Sequence, residues 1–394
     1  MDLVLSAESI EKAFSSDTLF QGLSLGIFTG DRIGLIGKNG AGKTTLLKIL
    51  SGNIESDAGK VSKKQGTHIS YVPQSSSFPS NQSAIEFIRS QHPDRSVEEF
   101  QLARTIAKFS DDSFQLDQKI SQMSGGQKKR LSIISELIKD PSIVFFDEPT
   151  NHLDLKGILW LEKLLIKARY PWVVISHDRF FLERTVRRIA EIDKLYPKGV
   201  CVLTGGYTDF IEQKIRYKEG LIAHAESLNN KLRRETSWLQ RQPKARTTKS
   251  RSRIDDAYAL KDNLESVKGR LHDRGPVKLE FSSSGRKTKK LLEATALTLE
   301  INDQLLAKNI SFSLCPGDIL GVVGPNGCGK STLLKKLVSD QNNTNSDIKY
   351  ANDISIVYFD QERASLDKNW TLGRALSEMG EQVVFRGRSI HIAS

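Results

Sequence analysis

The sequence has few cysteines and no long apolar stretch. Its three cysteines, Cys201, Cys315 and Cys328, lie far apart, which excludes a disulfide framework and gives no metal-ligand spacing. Apolar residues make up 38% of the chain, yet no stretch approaches the roughly 18 uninterrupted apolar residues of a membrane-spanning helix. These absences favour a cytoplasmic protein in a reducing compartment.

The net charge of +11 comes from one part of the chain. Residues 211–290 hold 21 Lys and Arg against 10 Asp and Glu, so the remaining residues sum to zero. A neutral body with one basic segment predicts a localised contact with a polyanion.

Residues 19–50 and 305–337 repeat one pattern. Each reads as a strand, a tight turn, a buried strand, a glycine-rich loop and a helix. A glutamine, Gln74 or Gln361, then follows the loop lysine by 31 residues in both copies. Equal spacing indicates two copies of one α/β domain.

The loop "GKNGAGKTT", residues 37–45, fits the phosphate-binding pattern G-x-x-x-x-G-K-[ST]. Backbone N–H groups at this strand-to-helix turn would face a phosphate, Lys43 would contact the β- and γ-phosphates, and Thr44 would bind Mg²⁺. ATP and Mg²⁺ are therefore the predicted ligands. The candidate nucleotide-binding residues are Gly37, Asn39, Gly40, Gly42, Lys43, Thr44 and Thr45.

Two further apolar strands end in polar residues. "SIVFFDEPT", residues 142–150, ends in Asp147, predicted to hold Mg²⁺, and Glu148, predicted to orient or deprotonate the attacking water. "WVVISHD", residues 172–178, carries His177 at its carboxyl end, where a γ-phosphate sensor would lie.

"MSGGQKKRLSII", residues 123–134, predicts an amphipathic helix. Two glycines in a first turn cost stability unless something approaches closely, which favours an anion-binding helix end. The candidate residues are Ser124, Gly125, Gly126 and Gln127.

These motifs occur in an order that resembles the ATP-binding cassette (ABC) superfamily, over about residues 1–206 and 291–394. The resemblance implies that Phe14 stacks on adenine and that Gln74, as a catalytic-site residue, senses Mg²⁺ and the γ-phosphate. It also implies that each site is shared, with one cassette's loop facing the other's "SGGQ".

The second copy keeps only part of the site. The first-copy spacings place its signature, acid pair and histidine beyond Ser394, and Glu300 stands where an aromatic is expected. The favoured explanation is a truncated form of a longer protein, and the alternative is pairing of first cassettes between chains. Its candidate nucleotide-binding residues are Gly324, Asn326, Gly327, Gly329, Lys330, Ser331, Thr332 and Gln361, with Ser331 and Gln361 also as metal ligands.

The middle segment, residues 207–290, predicts an antiparallel helical hairpin between cassettes at 1–206 and 291–394. Apolar residues recur in steps of 3 and 4, and Pro243 breaks the helix between the two seams. The seam residues are Leu221, Ala225, Leu228 and Leu232 in the first helix and Ala257, Leu260, Leu264, Val267 and Leu271 in the second.

The hairpin tip is basic. Residues 231–253 hold nine Lys or Arg and one acid, which predicts phosphate binding. The segment "RRETSWLQRQPKARTTKSRSRI" resembles the linker of Uup-like ABC-F proteins. The candidate nucleic-acid contacts are Arg241, Lys244, Arg246, Lys249, Arg251 and Arg253.

"EPTNHLD" with two cassettes in one chain resembles the ABC-F branch, whose members act on ribosomes and are not transporters. The resemblance implies an ATPase that contacts rRNA or tRNA through the hairpin, and DNA stays open as the target. A non-catalytic, nucleotide-dependent nucleic-acid-binding module is a second hypothesis. A transporter ATPase subunit is a third, which the basic hairpin disfavours.

Overall fold

The computed structural model forms two compact units, Met1–Gly275 and Pro276–Ser394. Among the residues that it describes, no helix is long and apolar enough to cross a membrane. The described residues are 2–14, 17–79, 81–91, 117–240, 251–271, 290–301, 304–340, 347–352, 354–359, 370–371, 374, 382–385 and 388–391.

A six-stranded sheet forms the centre of the first unit. Its strand order is β5-β6-β7-β3-β8-β9, with only the β8–β9 pair antiparallel. Strands covered on both faces need continuous apolar runs, which explains why β6 and β7 are buried throughout. The strands are β3 (Arg32–Gly37), β5 (Ile69–Val72), β6 (Ile143–Asp147), β7 (Trp172–Ile175), β8 (Arg188–Ile192) and β9 (Val200–Thr204).

A second, antiparallel sheet packs on this one with the order β2-β1-β4. Ile27 from it and Leu35 and Phe145 from the central sheet share one fully buried core. Its strands are β1 (Leu3–Phe14), β2 (Asp17–Phe28) and β4 (Ala58–Lys63).

The helices of this cassette begin at side-chain caps or at glycine. Ser83, Ser124, Asp154 and Asp178 each accept a hydrogen bond from a backbone N–H in the first turn, which satisfies a donor that the helix leaves unpaired. The helices are α1 (Lys43–Leu50), α2 (Ala84–Ser90), α3 (Gly125–Leu137), α4 (Leu155–Lys167) and α5 (Arg179–Thr185).

The predicted hairpin is confirmed. Helix α6 (Tyr207–Gln240) packs on α7 (Arg251–Leu271). Their shared buried residues are Ala225, Leu228, Leu264 and Val267, flanked by Leu221, Leu232, Leu260 and Leu271. Of the tip candidates, Arg251 and Arg253 lie in the first turn of α7, and Arg241, Lys244, Arg246 and Lys249 lie outside the described residues.

The second unit repeats the antiparallel sheet with the order β11-β10-β12, followed by helix α8 after its glycine-rich loop. β13 and β14 form a separate antiparallel pair. The elements are β10 (Leu292–Ile301), β11 (Gln304–Leu314), α8 (Lys330–Ser339), β12 (Ile348–Tyr350), β13 (Gln382–Phe385) and β14 (Arg388–His391).

The prediction of a buried strand before the second glycine-rich loop is wrong. Residues 319–323 form no strand, and Ile319 and Val323 are 99% and 88% exposed. In the first unit β3 pairs with both β7 and β8, whereas no described strand of the second unit pairs with this segment. A strand needs partners for its backbone groups, so apolar sequence alone does not form one.

Candidate nucleotide site

The first glycine-rich loop leaves β3 at the carboxyl edge of the central sheet and enters α1. Gly40 and Gly42 have φ angles of 79° and 90°, a backbone conformation that favours glycine. An added Cβ at Gly42 would also lie 2.5 Å from the Phe20 ring. Asn39 is exposed at the turn, and Thr44 is half-buried. Thr45, the remaining candidate of this loop, is half-buried in the first turn of α1.

Lys43 closes the loop on itself. Its Nζ donates to the carbonyl oxygens of Gly37 and Lys38 at 2.9 and 3.0 Å. Burial lowers the pKa of Lys43, while the carboxylates of Glu148 and Asp147 oppose that shift. The Lys43 ammonium therefore lies inside its own loop, close enough to Asp147 and Glu148 for both carboxylates to affect its pKa.

Asp147 ends β6 and is 1% exposed. Its Oδ2 accepts a hydrogen bond from the Tyr71 hydroxyl at 3.1 Å, and burial and Asp147 together raise the pKa of Tyr71. Its Oδ1 is buried and has no hydrogen-bond partner among the described residues. A buried carboxylate oxygen without a partner is costly, and it is the kind of ligand that Mg²⁺ prefers.

Glu148 and His177 meet at the same edge. The His177 Nε2 lies 3.3 Å from Glu148 Oε1. Burial raises the pKa of Glu148; His177 opposes this shift and Asp147 adds to it. Glu148 has a φ of 46°, and its N–H donates to the Ile175 carbonyl at 3.0 Å. Such strain in a non-glycine residue is typical of functional positions.

Gln74 follows β5 and is exposed. Its backbone accepts a hydrogen bond from Lys129, a residue that the sequence analysis did not identify. The buried Lys129 Nζ donates to the carbonyls of Pro73 and Gln74 at 2.7 and 3.1 Å. Burial lowers the pKa of Lys129 to about 8, against the opposing charges of Asp147 and Glu148. Tyr71 was missed as well. The alternation of "ISYV" indicates that Tyr71 and Val72 face opposite sides of β5, but it cannot identify a partner.

Ser124 and Gln127 of "SGGQ" form a capping box at the start of helix α3. Ser124 Oγ accepts from the Gln127 N–H at 3.2 Å, and Gln127 Oε1 accepts from the Ser124 N–H at 2.9 Å. Gly125 is exposed and Gly126 is buried. Phe14, the predicted adenine contact, is 50% exposed at the end of β1.

The second glycine-rich loop repeats the local geometry of the first. Lys330 Nζ donates to the Gly324 and Pro325 carbonyls at 2.8 and 2.7 Å, and Gly329 has a φ of 94°. Of its other candidates, Asn326, Gly327 and Ser331 are exposed, Thr332 is half-buried, and Gln361 lies outside the described residues.

The residues of the first site fit a nucleotide with Mg²⁺. The unpartnered Oδ1 of Asp147 and the hydroxyl of Thr44 are suitable oxygen ligands for the metal, and the loop ending at Lys43 is suited to phosphates. Once bound, Mg²⁺ supplies positive charge that offsets charge on the phosphates.

The chain is similar to known ATP-binding proteins. The profile of the ABC transporter family matches residues 20–151 and 307–383. Uup, an ATP-binding protein of Buchnera aphidicola, is 30% identical over 99% of this chain, which covers 65% of that protein. YfmR of Bacillus subtilis, described as an uncharacterized ABC transporter ATP-binding protein, is 29% identical over 96% of this chain.

A third relative, the energy-dependent translational throttle protein EttA of Haemophilus influenzae, is 28% identical over 94% of this chain. The chain spans 65% of the length of YfmR and 72% of the length of EttA. Because the two matched segments together cover more than half of its length, the chain belongs to the ATP-binding cassette family.

Proposed function

We propose that the first cassette hydrolyses ATP. The observation that carries this proposal is the convergence of Asp147, Glu148 and His177 at the sheet edge where the loop of Lys43 begins. Lys43 and the loop N–H groups hold the phosphates, while Thr44 and Asp147 hold the metal.

In this proposal Glu148 is the group that takes a proton from the attacking water. Its raised pKa makes it a stronger base than an exposed glutamate. His177, 3.3 Å away, holds the Glu148 carboxylate in place and lies 63% exposed at the side where the γ-phosphate would be. Gln74 reaches the metal and the γ-phosphate from β5. Phe14 stacks on the adenine, and Ser124–Gln127 contact the nucleotide of an opposing cassette, in this chain or in another.

We further propose that the state of this site reaches helix α6 by two routes. The first begins at His177, because α5 starts two residues later. Glu183 on α5 accepts hydrogen bonds from the N–H and the hydroxyl of Thr208 at 2.8 and 3.1 Å. The first turn of α6 is therefore hydrogen-bonded to the helix that begins two residues after His177.

The second route begins at the phosphate-binding loop. β8 pairs with β3 so that Glu191 lies opposite Ile36, at the end of the strand that enters the loop. Lys214 on α6 contacts Glu191 at 2.5 Å and Asp193 at 3.8 Å. Helix α6 is 34 residues long and ends at Gln240, a length of about 50 Å, so a small tilt at its base produces a larger displacement at its far end.

We propose that the basic tip contacts ribosomal RNA or tRNA. Two observations support this: the nine Lys or Arg against one acid in residues 231–253, and the name of one relative, a translational throttle protein. DNA is the alternative polyanion for the same charge pattern. Either target is consistent with a cytoplasmic protein.

The test is ATP turnover with and without ribosomes, measured on the wild-type chain and on Glu148→Gln. We expect turnover in the presence of ribosomes and a loss of about 100-fold or more in Glu148→Gln, with ATP binding retained. Glu212→Gln, which changes an exposed carboxylate on α6, is the control and should not alter turnover. Turnover that survives Glu148→Gln contradicts the assignment of the base, and nucleotide binding without turnover in the wild type favours a non-catalytic module.

A further inference from the structure

One face of helix α3 contacts β5 and the loop that comes after β5 in the chain. Ser70 Oγ donates to the Glu136 carbonyl at 3.1 Å, and Ser76 Oγ lies 2.8 Å from Ser132 Oγ. Lys129 stands one turn before Ser132 and continues the contact toward the sheet edge. These three α3 positions lie on a single helical stripe, because residues three or four apart share a face.

Lys129 differs from the other members of this stripe in carrying a buried charge. It is 6% exposed and donates to two successive carbonyls, those of Pro73 and Gln74. Burying an ammonium group is costly. If position 129 only had to fill space, an apolar side chain of similar length would suffice. The charge is balanced from the site side, since Asp147 and Glu148 both act electrostatically on Lys129.

We propose that Lys129 is a positioning residue for Gln74. It clamps the Gln74 backbone onto the helix that begins with "SGGQ", and thereby sets the distance of the Gln74 side chain from the metal position beside Asp147. Lys129 also joins the helix that would contact an opposing cassette to the metal-sensing glutamine of its own cassette. The inference rests on the proposed nucleotide site, in which Gln74 reaches Mg²⁺.

The experiment measures ATP affinity with and without Mg²⁺ by calorimetry, in the wild-type chain and in Lys129→Met. This substitution keeps most of the side-chain length but removes the charge and the hydrogen-bond donors. We expect unchanged ATP affinity without Mg²⁺ and a loss of about tenfold in the Mg²⁺-dependent part. Lys129→Arg retains the charge and the hydrogen-bond donors and should keep most of the Mg²⁺-dependent ATP affinity. Lys128→Met, at the neighbouring position of the same helix, is the matched control and should behave as wild type.

A double-mutant cycle with Gln74→Ala separates positioning from a general packing role. If Lys129 acts through Gln74, Lys129→Met should cost little Mg²⁺-dependent affinity when Gln74 is already alanine. Hydrogen exchange at residues 74–76 should also accelerate in Lys129→Met. This second readout, and Lys129→Gln as a milder substitution, keep the proposal testable if Lys129→Met folds poorly.

Three outcomes decide between the possibilities. Unchanged Mg²⁺ dependence in Lys129→Met, or additive losses in the cycle, overturns the inference and leaves the proposed function intact. A fall in thermal stability with no change in Mg²⁺ dependence also overturns it, because Lys129 would then be structural only. A wild-type chain in which Mg²⁺ does not alter ATP affinity overturns the nucleotide site itself and the inference with it.

Discussion

The two glycine-rich loops are nearly identical locally and differ in what surrounds them. Both lysines, Lys43 and Lys330, donate to two carbonyls five and six residues earlier, at distances between 2.7 and 3.0 Å. The helices that they begin both follow a glycine in the left-handed conformation. Glycine positions and a lysine that bonds to its own loop are therefore sufficient to specify the loop.

The preceding segments differ. Residues 32–37 form the strand β3, whose Leu35 is completely buried, whereas residues 319–323 are exposed and form no strand. The contrast separates what is encoded locally from what depends on partners distant in sequence. The loop conformation is encoded locally, whereas the strand that holds the first loop near Asp147 and Glu148 depends on distant partner strands.

The largest effect should come from testing the sheet itself. Phe145 in β6 is completely buried, so Phe145→Ala should lower the free energy of unfolding of the first unit by about 3–5 kcal/mol. Val323→Ala, at an 88% exposed position, should change stability by less than about 0.5 kcal/mol. Urea denaturation followed by hydrogen exchange of peptides from each unit measures both. A comparable loss for Val323→Ala would show that residues 319–323 are packed and would remove the contrast.

A second test compares the two loop lysines. Lys43→Ala removes a charge-assisted contact worth about 1.5–3 kcal/mol and should weaken ATP binding by about 10- to 100-fold. Lys330→Ala should change the affinity of the same binding event by less than about twofold. Calorimetric titration of each variant with ATP measures this. Equal losses would mean that the surrounding sheet does not determine which loop binds nucleotide.

A smaller effect is expected at the base of the hairpin. Lys214→Met leaves the Glu191 carboxylate buried without its closest cation, and we expect the ATP-dependent change in hydrogen exchange of residues 207–216 to fall at least about twofold. Lys218→Met, at an exposed position on the same helix, is the control. An undiminished response in Lys214→Met would leave Glu183 as the remaining proposed link between site and hairpin.

Most of the first cassette was predictable, because its motifs carry strong local signals. The strands before Gly37, Asp147 and His177, the helix after Ser124 and the hairpin seam all follow from periodicity and caps. The exposure of residues 319–323 was not predictable from the sequence, because their apolar pattern matches that of β3. Only the presence of partner strands determines whether such a segment forms a buried strand.

Contacts between side chains distant in sequence were also beyond prediction. Tyr71 reaches Asp147 and Lys129 reaches Gln74 across separations of 76 and 55 residues. A buried lysine reads in the sequence as one more basic residue of "GQKKR", since lysines are usually exposed. Its role emerges only when the helix packs beside β5.

The most direct test of the account is ribosome co-sedimentation of the chain with and without ATP, over a range of salt concentrations. We predict that ATP changes the ribosome affinity and that log K falls with log salt at a slope near −4 to −5, for about six cation–phosphate contacts. The variant in which Arg241, Lys244, Arg246 and Lys249 become Glu should lose ribosome association and keep ATP binding. Ribosome affinity that is the same with and without ATP would contradict the central claim that the first site controls the hairpin.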